Sequence, residues 1–473
     1  MSINHGITVL EQATGVRPPV TASAAMPVFF GTAPVHRTAN PAAAVNRPIV
    51  CFSFADAVAQ LGYSDDWENF TLCEAMSRQF RAYSVAPAVF VNVFNSELGK
   101  TAGSENILVV NGRASLVNEM VDPSTLTVQG GEIEVDYTVT LTNYGLDINV
   151  LPGGSLAAQP SVMANFMVVN PGTVTKTHII GGIDPATGAR TGIELVDDVF
   201  PKTRLVPGIL AAPGWNDIEV SLKLQAKAAS INNLFGCMAV VDVPDSAGPT
   251  FRDIPSWKEQ SGLSSKFCIV CWPRVSVGNR TVHLSTDITG RLGLRDAEMG
   301  DIPYASPSNR PLQITGMSWR GKEITHDQQV ANYIESCGIV TTLNWTGGWV
   351  AWGNYTAAYP GNTDPKDMWI AIRRMFNWVR NSIILSYWQR IDLPIRRVLI
   401  DDIVTSCNMW FDGLVSSGAL LGGRIEFPPE LNPATSLMSG KIVFRVFICP
   451  PVPAAEIEFQ LEYDPQYLST LFD

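Results

Sequence analysis

The sequence predicts an α/β fold, a mixed sheet core with flanking helices, plus an inserted all-β domain and extended terminal arms. Three observations carry that prediction. Short apolar runs such as "PVFFGTAP", "PAVFVNVF" and "GCMAVVDVP" alternate with stretches of helical period, the pattern of a mainly parallel sheet covered on both faces. Residues 96–176 hold β-type runs and turn pairs but no convincing helix. Near the end of the chain, 456–463 ("EIEFQLEY") alternate without a fault, yet Pro450, Pro451 and Pro453 cut this run off from the strand before it.

The elements follow in order. Residues 1–24 read as an arm, with a short strand at Ile7, Thr8, Val9 and Leu10 and then a Pro/Thr/Ser stretch without period. "PVFFGTAP" and "PIVCFS" are strands, "FADAVAQLG" a short helix closed by Gly62, and 67–84 a longer helix with Phe70, Cys73, Met76 and Phe80 at spacings of three and four. In the β insertion, Glu132 to Tyr137 alternate as a surface strand does. The core resumes with strand "RLVPGILAAPG", a helix near 217–235, strands "GCMAVVDVP" and "KFCIVCWP", and a helix near 281–294. "CGIVTTLNWTGGWVAWGNYT" predicts two strands joined at Gly347-Gly348. Asp364 and Pro365 suit the N-cap and first position of a helix with the stripe Trp369, Ile372, Phe376, Val379, Ile383 and Tyr387. A second helix spans about 396–417, followed by a strand over 441–449. The expected units are 1–24 (arm), 25–95 with 177–360 (α/β core), 96–176 (inserted β domain), 361–453 (C-terminal domain) and 454–473 (strand arm).

Composition narrows the function. The chain has 473 residues, beyond the roughly 250–300 at which one core stops growing. Only 16% are charged against roughly 25% in ordinary domains, which suits a subunit that hides its exterior against neighbours. Net charge is −11, and no Lys/Arg cluster exceeds Arg373-Arg374 and Arg396-Arg397, so direct nucleic-acid contact is not expected. The start lacks a signal peptide and no run of 18 apolar residues exists, so no membrane insertion is expected. Eight scattered cysteines suggest reduced thiols in a cytoplasm.

The common chemistry-bearing motifs fail together. Cys268 and Cys271 form a C-x-x-C without a second pair and with apolar flanks, so they read as core cysteines. "GKT" at 99–101 lacks the glycine of a phosphate loop, Asn95 standing in its place. The five histidines never fall at i, i+4. Trp345, Trp349, Trp352 and Tyr355 read as a hairpin buried in a core or interface, and Asp296, Asp301 and Pro303 as a turn-rich loop. No catalytic, metal or cofactor site is expected.

Five stretches in order, "HGITVLEQATGVRP", "IIGGIDPATGARTGI", "PGILAAPGW", "GIVTTLN…WVAWGNYT" and "PPVPAAEIEFQ", resemble the contractile phage tail sheath proteins, the group that includes R-type pyocin sheaths. The resemblance implies a structural subunit and not an enzyme. It implies stacked hexameric rings around an inner tail tube, contraction without ATP, and contacts with baseplate and tail terminator proteins, in a virion tail assembled in the host cytoplasm. It further implies that both arms are exchanged between subunits. The interacting residues would be Ile7, Val9 and Leu10 in the first arm and Ile457, Phe459, Leu461 and Tyr463 in the last. The rival expectation is an α/β enzyme of hydrolase type with a β insertion.

Overall fold

The computed structural model describes residues 20–471. A six-stranded sheet lies at its centre, in the spatial order Cys268–Cys271, Met238–Asp242, Ile209–Ala211, Pro27–Gly31, Ala88–Asn92 and Pro48–Cys51. The first five strands run parallel, and Pro48–Cys51 runs antiparallel at one edge. Both faces are covered, which is why these strands read as continuous apolar runs. On one face Val28, Phe30, Leu210 and Val241 pack with Val199, Leu224 and Ile254 from three helices. On the other, Phe29 and Phe90 meet the helix Thr71–Met76, while Met238, Val240 and Ile269 meet Ile288 and Leu292 of the helix Leu284–Glu298. Cys268 and Cys271 are buried in an edge strand, and burial pushes the Cys268 thiol up to about 12, so both are core cysteines as expected.

One edge of this sheet begins on a proline and the other is covered. Pro48 begins one edge strand and has no N–H to offer. At the other, Val340 N–H donates to Val270 O at 2.8 Å, Trp272 N–H donates to Val340 O at 2.9 Å, and Ala357 N–H donates to Cys268 O at 2.8 Å.

Between Thr101 and Val168 the chain forms two three-stranded antiparallel sheets and no α-helix. Their inward residues, among them Ile107, Leu116, Leu126, Ile148 and Phe166, make a separate apolar cluster. Polar contacts hold it against the central sheet's flank. His36 Nε2 lies 2.9 Å from Glu119 O, the Arg37 guanidinium reaches Thr142 O, and Ser64 bonds the Glu119 carboxylate.

Several elements depart from the sequence-based expectation. Glu132 to Asp136 form a turn, and the strand starts only at Tyr137. The Asp136 carboxylate accepts the N–H groups of Glu132 and Ser155, which fixes the turn in place of a ladder. The helix expected over 67–84 is α-helical only at Thr71–Met76 and widens to a π-turn at Ser77–Ala82. There Arg78 is turned inward to the buried Asp287, Nε lying 3.3 Å from Oδ2. The helix near 217–235 stops at Ala229, because Asn232 and Asn233 adopt positive φ and Asn232 is bonded to Asp197. The helix opened by Asp364 is one turn, Pro365–Met368, separated from Ile370–Tyr387 by an extended Trp369. Backbone bonds from Thr356 to Met368 O and from Ile370 to Asn354 O hold that break. Asp296 belongs to the helix Leu284–Glu298 and not to a loop. The chain turns back on itself across 181–192: a Cβ at Gly181 would sit 1.8 Å from Thr191 O, so only glycine fits there.

His36 yields a pH prediction. Burial holds its imidazole down at about 4, so the folded protein keeps it neutral while the unfolded chain takes a proton near 6.5. Stability from this group is therefore complete above pH 6.5 and falls as pH drops toward 4, by about 3 kcal/mol in all. Thermal unfolding of His36→Gln beside the unaltered chain should show the gap between them closing across that window. A constant gap would contradict it.

Candidate subunit interface

The C-terminal part of the chain is built on one helix, Ile370–Tyr387, whose first half is buried on nearly every side. Arg374 is 2% exposed and donates to Asp296, with Nη1 2.8 Å from Oδ1, and to Ala24 O at 3.3 Å. Burial pushes the Asp296 carboxyl up, and the Arg374 charge opposes that shift. Trp378 Nε1 donates to Ala22 O at 2.6 Å, and Asn381 exchanges bonds with the Gly236 backbone. Residues 22–24 are thus pinned to this helix and are not a free arm. A second helix, Arg397–Ser416, packs on it through Ile403, Cys407, Phe411 and Leu414, at spacings of three and four. Its other side leaves Val398 76% exposed.

Against that second helix lies a two-stranded antiparallel sheet, Gly422–Glu426 with Arg445–Cys449. Two strands alone make a marginal sheet. The inner strand is secured, since Ile425 is buried and its N–H donates to Asn408 Oδ1 at 2.9 Å. The outer strand is not. Among the described residues nothing pairs with the outward edge of Arg445–Cys449, and its Val446 and Phe447 are exposed. An open edge of this kind is a template for another strand. The strand expected over 441–449 is confined to its last five residues, and the sequence did not reveal its partner Gly422–Glu426.

Beyond Cys449 the chain runs without regular structure through 464 and ends in a 3-10 turn, Pro465–Leu471. The strand expected at 456–463 has no ladder partner among the described residues. Ile457, Phe459, Leu461 and Tyr463 are exposed, Leu461 at 96%. Such apolar side chains in water are out of place in a monomer. More than half of the exposed large apolar side chains of the described chain fall within 388–471. Ile7, Val9 and Leu10 lie outside the described residues. Trp345, expected to be covered, projects from the tip of the hairpin Thr341–Trp345 with Gly348–Trp352 and is 55% exposed. The signal for the missed inner strand was present in the alternation of Arg424, Ile425 and Glu426, but two glycines before it read as a loop.

A central sheet joined through one buried helix to a two-stranded hairpin is a fold shared with subunits of contractile injection machines. The chain superposes on the sheath of an extracellular contractile injection system, the PVC sheath complex in its contracted state, with a TM-score of 0.59 over 99% of each chain at 14% identity. It matches the helical sheath of the anti-feeding prophage in its contracted state equally, at 0.59 over 97% and 99% with 15% identity. In sequence it is 28% identical to the tail sheath protein of Burkholderia phage BcepMu over 99% of this chain and 98% of that one. It is 26% identical to the tail sheath protein of Escherichia phage P2 over 63% of this chain and 73% of that one. No family model matches the sequence. These comparisons bear out the resemblance to contractile phage tail sheath proteins.

The Arg374–Asp296 pair predicts a stability effect. Arg374→Met strands a buried carboxylate and should cost about 3–5 kcal/mol in urea unfolding. The double change with Asp296→Leu should recover most of that loss. If the single and double variants unfold alike, the pair does not anchor the helix.

Proposed function

We propose that the chain is the subunit of a contractile tail sheath, polymerising as stacked hexameric rings around an inner tube and contracting without ATP to drive that tube through a host envelope. The observation that carries this reading is the exposed alternating run 456–463, in no ladder among the described residues, following a strand whose outer edge is open. Eight alternating residues span roughly 27 Å when extended, enough to reach a neighbouring copy. Laid on the outward edge of Arg445–Cys449 in that copy, the arm's backbone would find its ladder and one side-chain row would be covered. Burying four large apolar side chains is worth roughly 6–12 kcal/mol before the costs of association are subtracted. In this reading the first arm is donated in the same way through Ile7, Val9 and Leu10.

In this reading the two small sheets between Thr101 and Val168 would be a β domain inserted in the core and facing outward on the tube. Contraction would draw its energy from surface buried as subunits rotate and close up, with the arms persisting as tethers. Baseplate and terminator proteins would cap the two ends of the tube. Assembly would occur in the host cytoplasm, where the exposed Cys449 stays reduced.

Deleting 454–473 should leave a folded subunit, because 454–468 are exposed, and should abolish polymerisation in negative-stain microscopy. Normal tubes from the truncated chain would sink the proposal. Phe459→Glu should block assembly more strongly than Glu458→Lys, and equal effects would mean that the buried face of the arm is the other one.

A further inference from the structure

The three prolines after Cys449 do more than end a strand. Pro450 is buried and Pro451 and Pro453 are half-buried, whereas Val452 between them is 56% exposed. From Ala454 to Leu468 every residue is exposed. Burial therefore ends at Pro453, four residues past the strand. Pro451 and Pro453 line a groove with Tyr304, Ser306, Asn354 and Trp352, which the exposed Ala454 and Ala455 also border.

The groove is built before the arm enters it. Trp352 Nε1 donates to Asn332 Oδ1 at 3.0 Å, which fixes the indole plane. Asn354 donates to Glu335 Oε1 from its backbone N–H at 2.9 Å and from its side chain at 3.2 Å. Ser306 bonds Asn354 Oδ1, and Ser308 Oγ accepts the Gly353 N–H at 3.0 Å, so the loop beside the hairpin is tied to it. An aromatic wall with a fixed polar floor suits a proline-rich segment, which has a preset φ and few donors to satisfy.

We propose that Tyr304, Ser306, Trp352 and Asn354 form a recognition groove for the chain's own segment 450–453, making it a rigid strut that aims the exchanged arm and places its hinge at Ala454. The strut stays with its own subunit while the arm beyond it travels to the neighbour. It rests on the sheath reading only for that last consequence. The arm's free reach is then counted from Ala454 and not from the end of the hairpin, and its direction of departure is set by the groove.

The test uses spin labels on the unassembled full chain with Cys337 and Cys449 changed to Ser. A label at Val452→Cys should be immobilised and one at Glu456→Cys fast. Trp352→Ala should free the label at 452, and so should Pro451→Gly with Pro453→Gly, a pair that alters only the arm and so leaves the folded core intact. In an assembly assay the same variants should form tubes several-fold more slowly. Equal mobility at 452 and 456 in the parent, or a label at 452 that stays immobile in both variants, overturns the strut. Mobility is read before any assembly, so its failure removes the strut alone, whereas an unaltered chain that never forms tubes removes the sheath reading alone.

Discussion

A β-strand cannot satisfy its own backbone: every second N–H and C=O along it points away from any partner on one side. That constraint orders this structure. The chain meets it at the Cys268–Cys271 edge of the central sheet, where the segments around Val340 and Ala357 take up outward backbone groups. Among the described residues no strand pairs with the outer side of Arg445–Cys449 or with the alternating run after Pro453.

The interior is organised to hold that open region still. Most charges on the Ile370–Tyr387 helix are buried and matched, Arg374 with Asp296 and Arg373 with Asp367 at 3.2 Å. Asn377 and Asn381 reach backbone groups at Cys237 and Gly236, beside the strand Met238–Asp242. Paired buried charges contribute little net stability but penalise any other arrangement of the groups they join. The hairpin thus stands on a helix whose position relative to the sheet is specified by directional bonds as well as by packing.

Much of this was legible in the sequence, and the reasons differ by element. The parallel strands were visible because burial on both faces leaves unbroken apolar runs, as in "VFF" and "AVFVN". The arm was visible because only one face alternates apolar. The break at Trp369 was not, since it is imposed by backbone bonds from 354 and 356, which no local pattern records. The strand Gly422–Glu426 was hidden by its glycines, and the Arg374–Asp296 pair by the 78 residues between its members. Arg373 and Arg374, adjacent basic residues in the sequence, are core residues whose partners come from elsewhere in the chain. Of the seven predicted interface residues, the four in the last arm are exposed, and Ile7, Val9 and Leu10 lie outside the described residues.

The cover on the central sheet has a consequence for fidelity. The chain around Val340 and Ala357 occupies the Cys268–Cys271 margin, and Pro48 removes one donor from the other, so a passing strand finds less to pair with on the core. The outer margin of Arg445–Cys449, five residues long, has no such cover among the described residues, which favours it over the core as the place where another strand can add.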